Sequence, residues 1–211
     1  PKDFDGVVEN DLKNLELSFV ESVYSYWIKG VLYQTIERLD SSISRLSPSS
    51  VAKKFDYEDY ELPQQDFLQI YLDMDKSLFV MGKPGGGKTV WMLQLLEKLI
   101  TYYTIEETNE VRIPIFLNLS SWSNSYNTLY DWIVFEITRS YGVSRNVIKH
   151  WIDREICDFL FDGLDEVNVN GRNDCVIAIN EFSRKFQNTG IVVSSRIKDY
   201  DSLPHKIDLN G

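Results

Sequence analysis

The sequence predicts an α/β protein: a three-layer αβα sandwich built on a mostly parallel five-stranded sheet and preceded by an N-terminal helical segment. Three observations carry this expectation. From residue 77 onward, short runs rich in branched and aromatic residues alternate with stretches of helical periodicity, the pattern of a parallel sheet covered by helices on both faces. The first run and the first helix are joined by a glycine-rich loop, Gly82-Lys83-Pro84-Gly85-Gly86-Gly87-Lys88-Thr89. A later apolar run, Phe159-Leu160-Phe161-Asp162, ends in a carboxylate, as a strand does when it delivers an acid to the rim of such a sheet.

Taken in order, apolar residues recur at helical spacing from Leu12 through Leu15, Phe19, Val23, Trp27, Leu32 and Ile36 to Leu39, predicting an amphipathic helix over 11–39, bent at Gly30. The serine-rich stretch 41–50, with Pro48, reads as a connection, and a shorter helix is expected over 63–74 with Pro63 near its start. These elements are too small to hold a core alone and are expected to pack on the rest of the chain; residues 1–75 are set apart as an N-terminal helical segment and linker, and 76–211 as the sandwich core. Within the core, strands are predicted over 77–81, 113–119, 156–161 and 191–195, with a short fifth over 206–209. Helices are predicted over 88–103, 129–141, 145–155 and 174–186. The strand over 156–161 is read as apolar in character, which suits a position buried on both faces. No internal repeat is visible.

The glycine-rich loop matches G-x-x-x-x-G-K-[ST] at Gly82, Gly87, Lys88 and Thr89, and each fixed position has a physical reason. Glycines let the backbone curl so that successive N–H groups point at one phosphate, and the helix after the loop adds the positive end of its dipole. Lys88 would reach the β- and γ-phosphates, the Thr89 hydroxyl would enter a Mg²⁺ shell, and Lys83, Pro84, Gly85, Gly86 and Val90 complete the cradle. This sets the fold class as that of the P-loop NTPases. Asp162 is the expected metal-shell partner of Thr89. Beyond it the chain reads Gly163-Leu164-Asp165-Glu166, placing two further acids where a lytic water would face the γ-phosphate. Glu166 is the preferred general base or water orienter, with Asp165 a competitor for that role or a second, water-mediated metal contact. Ser194-Ser195-Arg196 closes the fourth strand, so Arg196 is expected near the γ-phosphate as a sensor, the alternative being an ordinary ion-paired arginine.

Composition narrows the remaining classes. Forty-three per cent of the 211 residues are hydrophobic, enough for a sizeable core, and no apolar run approaches the roughly 20 residues that span a bilayer, so no membrane partner is expected and a cytoplasmic location is. The net charge of −10 is uneven: residues 1–75 carry 7 basic and 15 acidic side chains, and the rest carry 15 and 17. The acidic cluster over 56–61 reads as a solvated loop that repels phosphate backbones, which disfavours direct nucleic-acid binding. Cys157 and Cys175 lack metal-ligand spacing and are expected to be buried core thiols.

With these residues in hand, the chain resembles the NACHT family of STAND-class P-loop NTPases, relatives of the AAA+ domains. The resemblance is carried by Gly82 to Thr89, by the run Ile113-Pro114-Ile115-Phe116-Leu117-Asn118-Leu119-Ser120-Ser121-Trp122, by Phe161-Asp162-Gly163-Leu164-Asp165-Glu166, which looks like the family's extended Walker B motif, and by Ile191 to Arg196. Tyr26-Trp27-Ile28-Lys29-Gly30-Val31-Leu32 and Asn173 to Asn180 also look like bacterial members, so the resemblance spans about residues 20–209. It implies an ATP/ADP and Mg²⁺-dependent switch: ADP holds such proteins closed, exchange for ATP permits opening and self-association into a signalling oligomer, and slow hydrolysis resets the signal, in settings such as bacterial defence. The chain runs from Pro1 to Gly211, just after a short strand-like run, and both ends are read as cut points; the winged-helix region and sensing repeats that usually come after such a core are missing from this sequence. A nucleotide-kinase-like phosphotransferase is the main alternative, because it shares a Gly-x-Pro-Gly-x-Gly-Lys loop. Such kinases do not pair two acids after the metal aspartate. A guanine-reading Asn-Lys-x-Asp motif is absent, which favours ATP over GTP.

Overall fold

The structure, a computed structural model, describes residues 9–38, 67–105 and 112–209. The expected connection over 41–50, the acidic cluster over 56–61 and the start of the helix expected over 63–74 lie outside the described residues.

Four parallel strands form the sheet: β1 (Ser77–Gly82), β2 (Ile113–Asn118), β3 (Cys157–Asp162) and β4 (Gly190–Arg196), in the order β1-β4-β3-β2. All ladders are parallel, with Phe159 opposite both Ile115 and Ile191, and Gly82 opposite Arg196. Because side chains alternate along a strand, register partners share a face. One face therefore carries Ile115, Leu117, Phe159, Phe161, Ile191 and Val193, and the other carries Phe116, Leu160 and Val192. Every side chain of β3 is buried, including Asp158 and Asp162, so the strand is buried on both faces although Asp158 breaks its apolar run.

Helices cover both faces and make the sandwich three-layered. On the Phe159/Phe161 side, α4 (Leu129–Tyr141) places Trp132 6.0 Å from Phe161, and α6 (Val169–Lys185) places Phe182 5.7 Å from Phe159, measured between ring centroids. The short α7 (Ile197–Asp201) sets Tyr200 against Phe79 of β1. On the opposite side lie α3 (Lys88–Ile105), which packs on β1, β2 and β3, and the N-terminal helix, whose Trp27 stacks against Phe116 of β2. A short α2 (Phe67–Asp73) leads into β1, and α5 (Arg145–Asp153) comes after α4. Thr128 caps α4 by accepting from the Asp131 amide, and Gly142 ends it in the left-handed conformation with φ of 69°.

The N-terminal segment shares the core. α1 (Glu9–Val23) continues directly into a π-helical stretch, Tyr24–Tyr33, and residues 34–38 are again helical. Where the spacing predicts a bend at Gly30, the chain instead widens over ten residues, keeping Ile28 and Leu32 fully buried while Trp27 Nε1 donates to Tyr141 Oη at 2.8 Å. Tyr33 Oη donates to Glu97 of α3, tying this stretch to the helix after the glycine loop.

Two expectations are corrected. The predicted fifth strand over 206–209 does not form among the described residues. Its main-chain groups are taken by side chains instead: Asn180 donates to the Lys206 carbonyl at 2.8 Å and accepts from the Asp208 amide at 2.9 Å, and the Ile207 amide donates to Tyr200 Oη. Among the described residues the sheet thus has four strands, with β1 at one edge. The helix predicted over 174–186 begins earlier, at Val169, capped by Asn168. Gly171 sits within its first turns, where a Cβ would lie 2.9 Å from Asn124 Oδ1.

At the N-terminal ends of the strands, away from the glycine loop, sits a buried polar node that the sequence did not flag. Arg112 Nε donates to both oxygens of Asp158 at 2.9 and 3.0 Å, and its Nη2 reaches the Asn188 carbonyl at 2.8 Å. Asp158 Oδ1 also accepts from the Gly190 amide at 3.0 Å. The two side chains are 8% and 1% exposed, so the pair is desolvated and held by additional hydrogen bonds. The node joins β2, β3 and β4 at one point and leaves the other end of the sheet for chemistry.

Candidate nucleotide site

The C-terminal ends of β1, β3 and β4 converge with the start of α3, where the sandwich topology places ligands. The loop after β1 turns tightly: the Gly86 amide donates to the Lys83 carbonyl at 3.1 Å, and Gly85 and Gly87 take φ of 70° and 77°, left-handed values that favour glycine. A Cβ on Gly86 would sit 3.0 Å from the Lys83 carbonyl oxygen, so the loop has no room for a larger residue there without shifting. Helix α3 starts at Lys88, and the Trp91 amide makes its bond back to Gly87 at 2.8 Å. Amides at the start of a helix have no carbonyl within it to meet, so this end presents donors and the positive pole of the dipole. The Lys88 ammonium folds over the loop, 3.3 Å from the Lys83 carbonyl oxygen.

Asp162 ends β3 beside this loop. Thr89 Oγ1 donates to its Oδ2 at 2.8 Å, bridging α3 to the sheet. Ser194 Oγ donates to the other oxygen, Oδ1, and itself accepts from the Gly163 amide at 2.9 Å. Asp162 is 4% exposed and Ser194 fully buried, so the carboxylate is held from both sides in a fixed orientation. The Thr89 hydroxyl and the Asp162 carboxylate are a pair of hard oxygen donors next to the loop, a donor set that suits a magnesium ion.

After Asp162 the chain turns through Gly163, at φ of 82°, into a 3-10 turn, Leu164–Glu166. A Cβ at Gly163 would lie 3.1 Å from Glu166 Oε2, so the glycine lets the Glu166 carboxylate fold back toward the end of the strand. Asn118, at the tip of β2, donates from Nδ2 to Glu166 Oε2 at 3.2 Å, and Glu166 is exposed. Asp165 points the other way. Its Oδ1 accepts from the Arg196 amide at 3.0 Å and its Oδ2 meets Arg196 Nε at 2.7 Å. Its backbone carbonyl accepts from Arg172 Nη2, and Arg172 Nη1 donates to Asp199 of α7 at 2.9 Å.

The structure therefore brings Lys88, Thr89, Asp162, Glu166 and Arg196 to one end of the sheet and separates the environments of the two acids after Gly163. Three residues at this site were not singled out individually in the sequence. Ser194 could have been noticed as the first hydroxyl after the apolar run Ile191 to Val193, Asn118 as the polar tip of the run Ile113 to Leu117, and Arg172 carries no local signal at all. Cys157 and Cys175 lie elsewhere, buried as free thiols, and burial pushes both thiol pKa values well up. Among the described residues no group of three or more His, Cys, Asp or Glu could hold a metal, and no helix is long and apolar enough to cross a membrane.

No protein-family model matches the chain, and no curated protein matches it. Among solved structures it is similar to PCH-2 of C. elegans, with 14% identity and a TM-score of 0.32 over 97% of this chain and 45% of that one. The chain thus spans less than half the length of that protein chain.

Proposed function

We propose that this chain is the nucleotide-binding core of an ATP-hydrolysing switch of the NACHT type, acting in the cytoplasm and controlling self-association through ADP/ATP exchange. The observation that supports it best is the Thr89–Asp162 hydrogen bond, which sets a hydroxyl and a carboxylate side by side where the glycine loop meets the sheet. The loop amides and Lys88 bind the β- and γ-phosphates, supplying donors fixed in place before the ligand arrives. Thr89 and Asp162 would hold a magnesium ion, which when bound would neutralise charge on the phosphates. Glu166, exposed and oriented by Asn118, takes the proton of the attacking water, and Arg196 faces the terminal phosphate. Turnover is expected to be slow, as befits a timer.

The experiment is titration calorimetry of the protein with ATP and ADP in the presence of magnesium. The wild type binds both, and Lys88→Ala loses binding while unfolding at the wild-type temperature. Unchanged ATP affinity in Lys88→Ala would remove the loop from the site.

A further inference from the structure

Asp165 and Glu166 are adjacent acids, yet the fold treats them oppositely. The Asp165 side chain is 5% exposed, and each of its carboxylate oxygens is engaged by the same partner, one by the main-chain N–H of Arg196 and the other by its Nε. A grip on both the backbone and the side chain of one residue fixes where that side chain leaves the strand. Asp165 is itself held, because its carbonyl accepts from the buried Arg172, whose other Nη anchors Asp199 in the helix directly after Arg196. Turn, arginine and helix form a closed ring of polar contacts, and Asp165 cannot swing toward a water or a metal without opening it.

Arg196, in contrast, is 45% exposed, and among the described residues its Nη1 and Nη2 donate no hydrogen bond. Its ion pair with Asp165 runs through Nε, so the two Nη groups are left as a fork, the geometry that takes two oxygens of one phosphate. The register sets Arg196 directly opposite Gly82, the first residue of the glycine loop.

We infer that Asp165 is a positioning residue for Arg196, neither base nor metal ligand, and that the Asp165–Arg196 pair makes the site prefer a nucleoside triphosphate over a diphosphate. This rests on the nucleotide reading above and assigns one acid of the pair a different task. Without its carboxylate partner a long side chain this exposed regains its rotamers and leaves the phosphate. Removing a negative charge would by itself raise the affinity for every anion, so the quantity that reports positioning is the ratio of ATP to ADP affinity.

The test measures that ratio by calorimetry with magnesium for wild type, Asp165→Asn, Arg196→Gln, Arg196→Lys and the double variant Asp165→Asn/Arg196→Gln. Each single substitution is expected to reduce the ATP preference by about tenfold or more, the worth of a charge-assisted hydrogen bond, and the double variant to lose no more than Arg196→Gln alone. Arg196→Lys keeps the charge but has no Nε, so it is expected to fail as Arg196→Gln does, and it serves if Asp165→Asn does not fold. A preference retained in Asp165→Asn or in Arg196→Lys overturns the inference, as does a turnover rate lost in Asp165→Asn with the preference intact. A second arm needs no nucleotide: in nitrogen-edited NMR the Arg196 main-chain amide, which donates to Asp165 Oδ1, is expected to exchange slowly in wild type and in Glu166→Gln, and rapidly in Asp165→Asn. Rapid exchange in wild type contradicts the grip even if nucleotide binds. Slow exchange in a protein that binds no nucleotide upholds the grip and defeats the site's proposed ligand.

Discussion

Substituting Ser194 by Ala probes how the Asp162 carboxylate is held. The change removes one oxygen from a side chain with no exposed surface, so water cannot reach the gap to replace it. Two hydrogen bonds are lost at once, the one Ser194 donates to Asp162 and the one it accepts from the Gly163 amide. A hydrogen bond to a charged group contributes about 1.5–3 kcal/mol, and a buried amide left without a partner costs about 1–3 kcal/mol. The two effects share one atom and overlap, so a net destabilisation of about 2–4 kcal/mol is expected. At about 2–4 °C per kcal/mol for a domain of this size, the unfolding temperature should fall by about 5–15 °C. Circular dichroism on the ligand-free protein measures that fall. A second consequence is functional: Asp162 keeps Thr89 but loses its other restraint, so the magnesium concentration for half-maximal ATP turnover should rise about 10-fold or more, as when other supporting partners of metal ligands are removed. A variant that melts within about a degree of wild type, with an unchanged magnesium requirement, would refute the idea that Ser194 sets the carboxylate.

Three further outcomes are expected. Glu166→Gln should bind ATP as the wild type does but hydrolyse it about 100-fold or more slowly, measured as phosphate release; an equal loss of binding would move Glu166 out of the proton-transfer role. Gly190→Ala should destabilise the fold by about 3–5 kcal/mol in urea, because the new Cβ would fall within contact distance of Tyr71 Oη and 2.5 Å from Asp158 Oδ1, forcing the buried Arg112–Asp158 pair apart; an unchanged midpoint would show that the node relaxes freely. Cys157 and Cys175 should resist iodoacetamide near neutral pH and react only in denaturant, since burial raises both thiol pKa values and closes access; rapid labelling of the native protein would contradict their placement in the core.

The sheet was legible because its strands are short, apolar and separated by helices, so composition alone marks their positions. What was misread was local mimicry. Lys206-Ile207-Asp208-Leu209 alternates like an edge strand, but a strand needs a ladder, and here Asn180 and Tyr200 take the main-chain groups instead. The helix predicted from residue 174 starts at Val169 and takes in Gly171, whose close neighbour, the Asn124 side chain, lies 47 positions earlier in the sequence. The π-helical stretch keeps the same apolar residues inward over its short length, so no spacing in the sequence distinguishes it from a bent α-helix. At the candidate site, residue types and order suggested which side chains gather around the glycine loop. Their pairings could not be read, because Ser194 with Asp162, Arg196 with Asp165 and Asn118 with Glu166 are contacts made across strands.

The most direct measurement is the identity of any nucleotide that the protein carries through purification, released with acid and separated by ion-exchange chromatography. ADP should be recovered in stoichiometric amount from the wild type and be lost in Lys88→Ala. Protein that carries no nucleotide and takes up neither ADP nor ATP when magnesium is supplied would contradict the account.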